Sequence, residues 1–179
     1  MSADILTRKY EKAFQLYDAD GSGYVDESDV KRMQDQLVAA FGASGTPKEP
    51  AVREGIDEFW SALTSAMDRN LDDRLSREEW VSGLGQLSQD AASFDAVFAP
   101  VVDAVFTLMD TDDSGFVTDD EFRRFQAGLG NADQADAALT KIDRDGDGVI
   151  SREEFLADIR AFLTSDDPDN TNNWFLGQV

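Results

Sequence analysis

Apolar residues recur at three- and four-residue intervals along most of this chain, and four short acidic stretches interrupt the pattern. Such spacing places apolar side chains on one face of an α-helix, and it is more typical of a buried core than of a ligand-binding face. The stripes run through residues 30–41, 56–67, 101–109, 122–129, 138–142 and 155–163. The pattern predicts an all-α protein in which helices enter and leave four acidic loops.

Turn-forming residues indicate where the helices stop. Residues 42–50 contain two Gly and two Pro, which predicts a linker that breaks the helix. Gly130 followed by Asn131 predicts a second stop. A single helix–loop–helix unit leaves an apolar face that a second unit covers, so four units predict two pairs. We place the boundary between the pairs at residues 88–94, which gives an N-terminal pair in residues 1–90, a C-terminal pair in residues 91–164 and a tail in residues 165–179.

The last acidic stretch, residues 143–154 (loop 4), has oxygen-bearing residues at the positions that an EF-hand loop uses for Ca²⁺, a hard cation that takes six to eight oxygen ligands. Gly148 stands at position 6, where the loop turns sharply, and Ile150 at position 8 suits a short antiparallel pairing with a partner loop. Ser151 and Glu154 also form a capping box, but a cap alone needs none of the upstream Asp residues. The predicted ligands are Asp143, Asp145, Asp147, Val149 through its carbonyl, Ser151 and Glu154.

Residues 110–121 (loop 3) repeat the same pattern, with Gly115 at position 6 and Val117 at position 8. Every ligand position holds a residue that the motif accepts. This loop is therefore a second predicted Ca²⁺ site. Its predicted ligands are Asp110, Asp112, Ser114, Phe116 through its carbonyl, Thr118 and Glu121.

Residues 18–29 (loop 1) follow the pattern through position 9, but position 12 is Asp29 rather than Glu. Asp is one methylene shorter and tends to offer one oxygen, which favours a smaller cage and lowers the preference for Ca²⁺ over Mg²⁺. We expect a metal here, with Mg²⁺ as a candidate occupant at rest; the alternative is an acidic helix cap without metal. The predicted ligands are Asp18, Asp20, Ser22, Tyr24 through its carbonyl, Asp26 and Asp29.

Residues 68–79 (loop 2) are the least regular of the four. Position 6 is Asp73 instead of Gly, and three Arg residues within the loop offset part of its attraction for a cation. Binding and non-binding both remain open for this loop, so the chain offers three or four Ca²⁺ sites. In either case Leu75 can pair with Val25 of loop 1. The candidate ligands are Asp68, Asn70, Asp72, Arg74 through its carbonyl, Ser76 and Glu79.

Composition narrows the classes of function. The four loops carry a net charge of −16 out of −21 for the chain, and 16 Lys and Arg residues stand against 37 Asp and Glu. Clustered basic residues are what nucleic acids and anionic membranes require, so neither is an expected partner. The chain has no Cys and no His, which removes the usual nucleophiles and general bases, and we expect no enzymatic activity.

The chain's ends and its most apolar stretch bear on location. The start, Met1-Ser2-Ala3-Asp4, lacks the basic and apolar parts of a secretory signal and a myristoylation site. The most apolar stretch, residues 96–109, contains Pro100 and Asp103 and is shorter than the roughly 20 residues that cross a bilayer. We expect a cytoplasmic monomer.

The whole chain resembles the sarcoplasmic calcium-binding protein family and, more closely, its actinobacterial calerythrin-like branch. The resemblance rests on the four-loop layout, the long insertion between loops 1 and 2, the irregular loop 2 and the Phe-rich helices. It implies a compact, two-lobed molecule with extensive contact between the lobes. It also implies that loop 2 is often free of metal, although here that loop keeps acceptable oxygen ligands.

The tail, residues 165–179, has a polar, Pro-containing spacer followed by Trp174, Phe175 and Leu176. A purely disordered end rarely carries such an aromatic cluster. We expect these three side chains to dock in an apolar cleft between the lobes; the alternative is a frayed terminus.

Three functions remain. A Ca²⁺ buffer or transporter holds the ion with little change of shape, whereas a Ca²⁺ sensor opens an apolar groove and binds a partner protein. Sensors line such grooves with Met, and this chain has four Met residues in all, so the sequence favours the buffer. The third is a luciferin-like small-molecule binding protein, against whose photoprotein form the absence of His argues.

Overall fold

The computed structural model describes residues 2–167 of the chain. The predicted docking of Trp174, Phe175 and Leu176 lies outside these residues. Within them, each of the four acidic loops joins two helices and contributes one two-residue strand. The strands are β1 (Tyr24–Val25), β2 (Leu75–Ser76), β3 (Val117–Thr118) and β4 (Val149–Ile150). The helices are α1 (Ser2–Tyr17), α2 (Glu27–Ala40), α3 (Lys48–Met67), α4 (Arg77–Leu87), α5 (Ala91–Met109), α6 (Asp119–Gly128), α7 (Ala135–Ile142) and α8 (Arg152–Thr164). The predicted all-α fold of four helix–loop–helix units is confirmed.

The strands arrange the loops in two pairs. β1 pairs antiparallel with β2, with Val25 opposite Leu75, and β3 pairs with β4, with Val117 opposite Ile150. These four position-8 side chains are buried. Because each strand lies inside its loop, the pairing holds loop 1 against loop 2 and loop 3 against loop 4, as the apolar residues at position 8 predict.

A capping box starts the helix that leaves each loop. In α8 the Ser151 hydroxyl accepts a hydrogen bond from the Glu154 N–H, and the Glu154 carboxylate accepts one from the Ser151 N–H. Corresponding boxes begin α2, α4 and α6. The residues at positions 9 and 12 of each loop are therefore fixed by the helix start itself.

The linker between α2 and α3 is shorter than the sequence predicts. α2 ends at Ala40, but α3 already begins at Lys48, so Lys48, Glu49 and Pro50 are helical. Pro50 is tolerated because it lies in the first turn, where its missing N–H has no partner to lose within the helix.

One core serves both pairs of hands. α3 and α5 form the most extensive helix contact among the described residues, with Phe59 packing on Phe98 at 5.2 Å between ring centroids. α1 and α8 meet where the Tyr10 hydroxyl donates a hydrogen bond to the Leu163 carbonyl at 2.9 Å. The buried apolar residues form a continuous cluster that includes members of every helix from α1 to α8. The turn at residues 88–90 joins α4 to α5, and a boundary between independent domains there stays a prediction.

The length of α5 corrects the expectation that the most apolar stretch is shorter than a membrane span. The helix has 19 residues with a mean hydropathy of 1.6, so by length and composition it reaches the range of a membrane span. Phe94, Phe98 and Val102 are nevertheless buried against the other helices. The length exceeds the prediction because Asp90 caps the helix upstream of the apolar stretch. α5 is the central core helix of the fold.

Candidate metal sites

Three groups of carboxylates converge within the described residues. In each group, one oxygen per residue lies within 4.8 Å of the others, which is a spacing that a single oxygen-coordinated cation can bridge. The three groups lie in loops 1, 3 and 4, where the sequence predicts them. They are Asp18, Asp20 and Asp29; Asp110, Asp112 and Glu121; and Asp143, Asp145 and Asp147.

Backbone N–H groups hold predicted ligand side chains of loop 4. The two oxygens of Asp143 accept hydrogen bonds from Gly146 at 2.7 Å and Gly148 at 3.1 Å, both of which have positive φ. Glu154 accepts from the Ser151 N–H at 2.9 Å and from the Arg144 N–H at 3.0 Å. These bonds fix the first and last ligand positions while leaving carboxylate lone pairs for a hard cation.

Loop 3 has the same internal bonds and an additional contact from the other pair of hands. Asp110 accepts from the Gly115 N–H at 2.9 Å, and Glu121 accepts from the Thr111 N–H at 2.7 Å. Lys48, at the start of α3, donates to the Asp110 carbonyl and forms an ion pair of 2.7 Å with Asp113. Loop 3 is thus tied to the N-terminal half of the chain.

The position-12 glutamates of loops 3 and 4 are stabilised in their ionised form. Burial acts to raise the pKa of Glu121 and of Glu154, but the hydrogen bonds that each accepts from its loop outweigh burial, so both pKa values lie below the ordinary one. Both side chains are therefore ionised near neutral pH. A cation entering either loop meets a preformed negative ligand.

Loop 1 presents its position-12 ligand differently. Burial raises the pKa of Asp29, although hydrogen bonds from Asp26 and Arg32 oppose that rise. Arg32 Nη1 lies 2.8 Å from Asp29 Oδ1. The three loop carboxylates still converge, so the loop fits a divalent cation, but Asp29 already has a positively charged partner.

In loop 2 a candidate ligand, Asp72, is already paired with side chains of the same loop. Arg74 Nε contacts Asp72 Oδ2 at 2.9 Å, and Asn70 Nδ2 donates to the same oxygen at 3.2 Å. Leu71 and Asp73 have φ of 60° and 61°, a conformation that costs a residue with a Cβ about 1 kcal/mol or more. The loop keeps the EF-hand outline, with Ser76 capping α4 and Glu79 accepting the Arg69 N–H, but it forms none of the three groups above.

Two basic residues at these sites are missing from the sequence prediction. Arg32 follows Asp29 by three positions in α2, so helical spacing places the two side chains on one face, and the sequence itself contains this signal. Lys48 lies 62 residues from Asp110. That contact depends on how the two pairs of hands pack, which no local pattern records.

Comparison with known protein families agrees with the loop geometry. The profile of the EF-hand domain pair matches residues 101–160, which contain loops 3 and 4. The profile of the EF-hand domain matches residues 9–40, which contain loop 1.

Similar proteins extend the match to most of the chain. Calerythrin from Saccharopolyspora erythraea is 26% identical over 166 residues, which cover 90% of this chain and 94% of calerythrin. The solved structure of a Streptomyces coelicolor calcium-binding protein that acts in prokaryotic calcium-mediated regulation has a TM-score of 0.80 and 28% identity over 89% of this chain and 98% of that one. A sarcoplasmic calcium-binding protein from amphioxus shares the fold, with a TM-score of 0.78 and 19% identity over 98% of both chains. The predicted resemblance to the calerythrin-like branch is confirmed.

Proposed function

From the premise that this chain is a calcium-binding EF-hand protein similar to calerythrin, we propose that it is a cytoplasmic, monomeric, non-enzymatic buffer for Ca²⁺, with Mg²⁺ as a resting occupant of loop 1. Ions would be held by the side-chain and carbonyl oxygens of loops 1, 3 and 4. The fold supports a buffer because ion binding has little apolar surface to expose.

The location of the apolar faces carries this proposal. A sensor uses Ca²⁺ to open a helix pair and present an apolar groove to a partner. Here α3 of one pair lies along α5 of the other, and each pair covers the apolar face of its neighbour. Among the described residues the large apolar side chains that are exposed are Leu71 at 84% and Phe116 at 45%, and both lie in loops rather than in a groove. Opening either pair would require breaking the shared core.

Retention on a phenyl matrix tests the choice between buffer and sensor. A sensor binds such a matrix in Ca²⁺ and elutes with a chelator, because the ion exposes its groove. We expect this protein to pass through the column equally in Ca²⁺ and in chelator, at fixed Mg²⁺. Retention in Ca²⁺ alone would favour the sensor, a role in keeping with the regulation ascribed to the Streptomyces coelicolor relative.

We further propose that loop 2 binds no divalent cation in the ordinary concentration range. A variant of loop 2 with a regular position 6 tests this proposal. The double substitution Asp73→Gly and Arg74→Gln removes the backbone strain at position 6 and the ion pair of Asp72, so calorimetric titration should show four sites instead of three. The single substitution Asp73→Gly is the control; it should stabilise the fold by about 1 kcal/mol and leave three sites. Four sites in the unaltered protein would contradict the assignment.

A second candidate function is supported by a partly open apolar cavity lined by residues of both pairs of hands. The cavity has a volume of about 110 Å³, and helices α1 to α6 and α8 contribute apolar side chains to its wall, among them Tyr17, Phe59, Trp80 and Phe98. A dry apolar cavity of about 150 Å³ is known to bind benzene. The space therefore suits a small aromatic or alkyl group, and it is below the roughly 300 Å³ at which pockets for larger ligands begin.

Native mass spectrometry of the protein from its own source separates the two candidates. The buffer proposal predicts protein with bound metal ions and no organic adduct, and an absorption spectrum that tryptophan and tyrosine explain. A stoichiometric organic adduct or a visible chromophore would support the small-molecule role instead.

A further inference from the structure

The carboxylate at position 12 has a different partner in loop 1 than in the other loops. In loops 2, 3 and 4 this residue is Glu, and one of its oxygens accepts a hydrogen bond from the backbone N–H at position 2, in Arg69, Thr111 and Arg144, at 2.7 to 3.1 Å. In loop 1 the shorter Asp29 instead directs Oδ1 to the guanidinium of Arg32, at 2.8 Å. A neutral backbone donor is thus replaced by a full positive charge.

Arg32 also lies close to a second ligand of the same loop. Its Nη2 is 3.9 Å from Asp20 Oδ2, so the guanidinium faces two of the three converging carboxylates. The Asp29 side chain is only 1% exposed, whereas that of Arg32 is 36% exposed. A buried carboxylate is stabilised by hydrogen bonds or by a positive partner, and for Asp29 the positive partner is either Arg32 or a bound cation.

We propose that Arg32 is an internal competitor that sets the affinity of loop 1 for divalent cations. The proposal rests on the proposed function, because it concerns one of the three predicted sites. A divalent ion that binds Asp29 must displace the guanidinium or tolerate its charge at short range. Arg32 therefore makes loop 1 the weakest of the three Ca²⁺ sites, so that Ca²⁺ enters it after loops 3 and 4.

The surroundings give Arg32 room to move without unfolding α2. A groove of about 340 Å³ lies beside it, lined by the end of α1, by Asp29, Arg32 and Gln36, and by residues 127–130 at the end of α6. The C-terminal end of a helix carries a partial negative charge, which attracts a guanidinium. A displaced Arg32 thus has a favourable place within reach.

The test compares three single substitutions in α2. Arg32→Gln removes the competing charge, and Arg32→Lys keeps a charge there. Lys31→Gln is the matched control, because it removes the same charge from the neighbouring residue. The Lys31 side chain is exposed and pairs with Glu27 at 2.6 Å. Site-specific titration is read from the backbone amide resonances of the position-6 glycines, Gly23 in loop 1, Gly115 in loop 3 and Gly148 in loop 4, each of which donates to the first Asp of its own loop.

Arg32→Gln should tighten Ca²⁺ and Mg²⁺ binding at Gly23 about ten- to hundredfold, because a divalent ion no longer meets a positive charge nearby. In the same variant, binding reported by Gly115 and Gly148 should be unchanged. In Arg32→Lys the affinity of loop 1 should stay within a few-fold of the unaltered protein, and in Lys31→Gln it should change about twofold. Equal shifts for Arg32→Gln and Lys31→Gln would overturn the proposal while leaving the buffer function in place. Absence of metal-dependent shifts at all three glycines in the unaltered protein would overturn the proposed function itself.

Discussion

Replacing Glu154 by Gln should weaken Ca²⁺ binding at loop 4 by about two orders of magnitude or more, since the loop loses the anionic ligand that closes its coordination. The helix start should survive, because the Gln carbonyl can still accept the hydrogen bond that Glu154 accepts from the Ser151 N–H at 2.9 Å. Calorimetric titration should therefore show one site fewer than in the unaltered protein, with the remaining sites in place.

Glu153→Gln is the control for this substitution. Glu153 is adjacent and exposed and is not a predicted ligand, so the change in net charge is the same while the ligand set is kept. We expect its titration to match that of the unaltered protein to within about twofold. If Glu154→Gln left the number and affinity of the sites unchanged, loop 4 would be a helix cap and not a metal site.

Replacing Gly55 by Ala should separate the two pairs of hands. A Cβ added to Gly55 would lie 2.4 Å from the Ala104 Cβ and 3.2 Å from the Pro100 carbonyl oxygen, so α3 and α5 would have to move apart. Overpacking of this kind costs about 1 to 3 kcal/mol. Chemical denaturation in Ca²⁺ should show the lower free energy of unfolding, and an apolar dye should bind to the surface that the separation exposes.

Gly85→Ala is the matched control for that change. Gly85 is also helical, but a Cβ there meets only the Tyr10 ring, at an ordinary 3.8 Å. Both substitutions gain the helix propensity of Ala, about 1 kcal/mol, so the difference between them isolates the clash. We expect Gly55→Ala to be less stable than Gly85→Ala by about 2 kcal/mol. Equal stabilities would mean that α3 and α5 have room to spare and that the lobes are loosely joined.

The local parts of this molecule follow from the sequence because the EF-hand loop is a local motif. Gly148, Ile150 and Glu154 each have a role set by their position within twelve residues, and the same spacing that marks the ligands also marks the cap of the next helix. Apolar residues at position 8 likewise predict the pairings of Val25 with Leu75 and of Val117 with Ile150. Fold class and candidate ligands could therefore be predicted directly.

The parts that the sequence misses depend on distant residues. Lys48 falls in the predicted linker, whereas in the structure it begins α3 and reaches loop 3 across the interface between the two pairs. The close approach at Gly55 gives no signal in a helical stripe, because Gly there looks only like a weak helix former. The loop motif does not predict the contact of Asp29 with Arg32, because it describes what binds metal and not what competes with it.

Because the core is shared, one measurement is decisive for the buffer proposal. It is the fluorescence of an apolar dye during Ca²⁺ titration at fixed millimolar Mg²⁺. The amide resonances of the position-6 glycines report the filling of each loop in the same samples. We predict that dye fluorescence stays at its starting level while the loops fill, and that Gly55→Ala gives a raised signal at every Ca²⁺ concentration. A saturable rise in the unaltered protein that follows occupation of the loops would contradict the account, because it would mean that the ion opens an apolar groove.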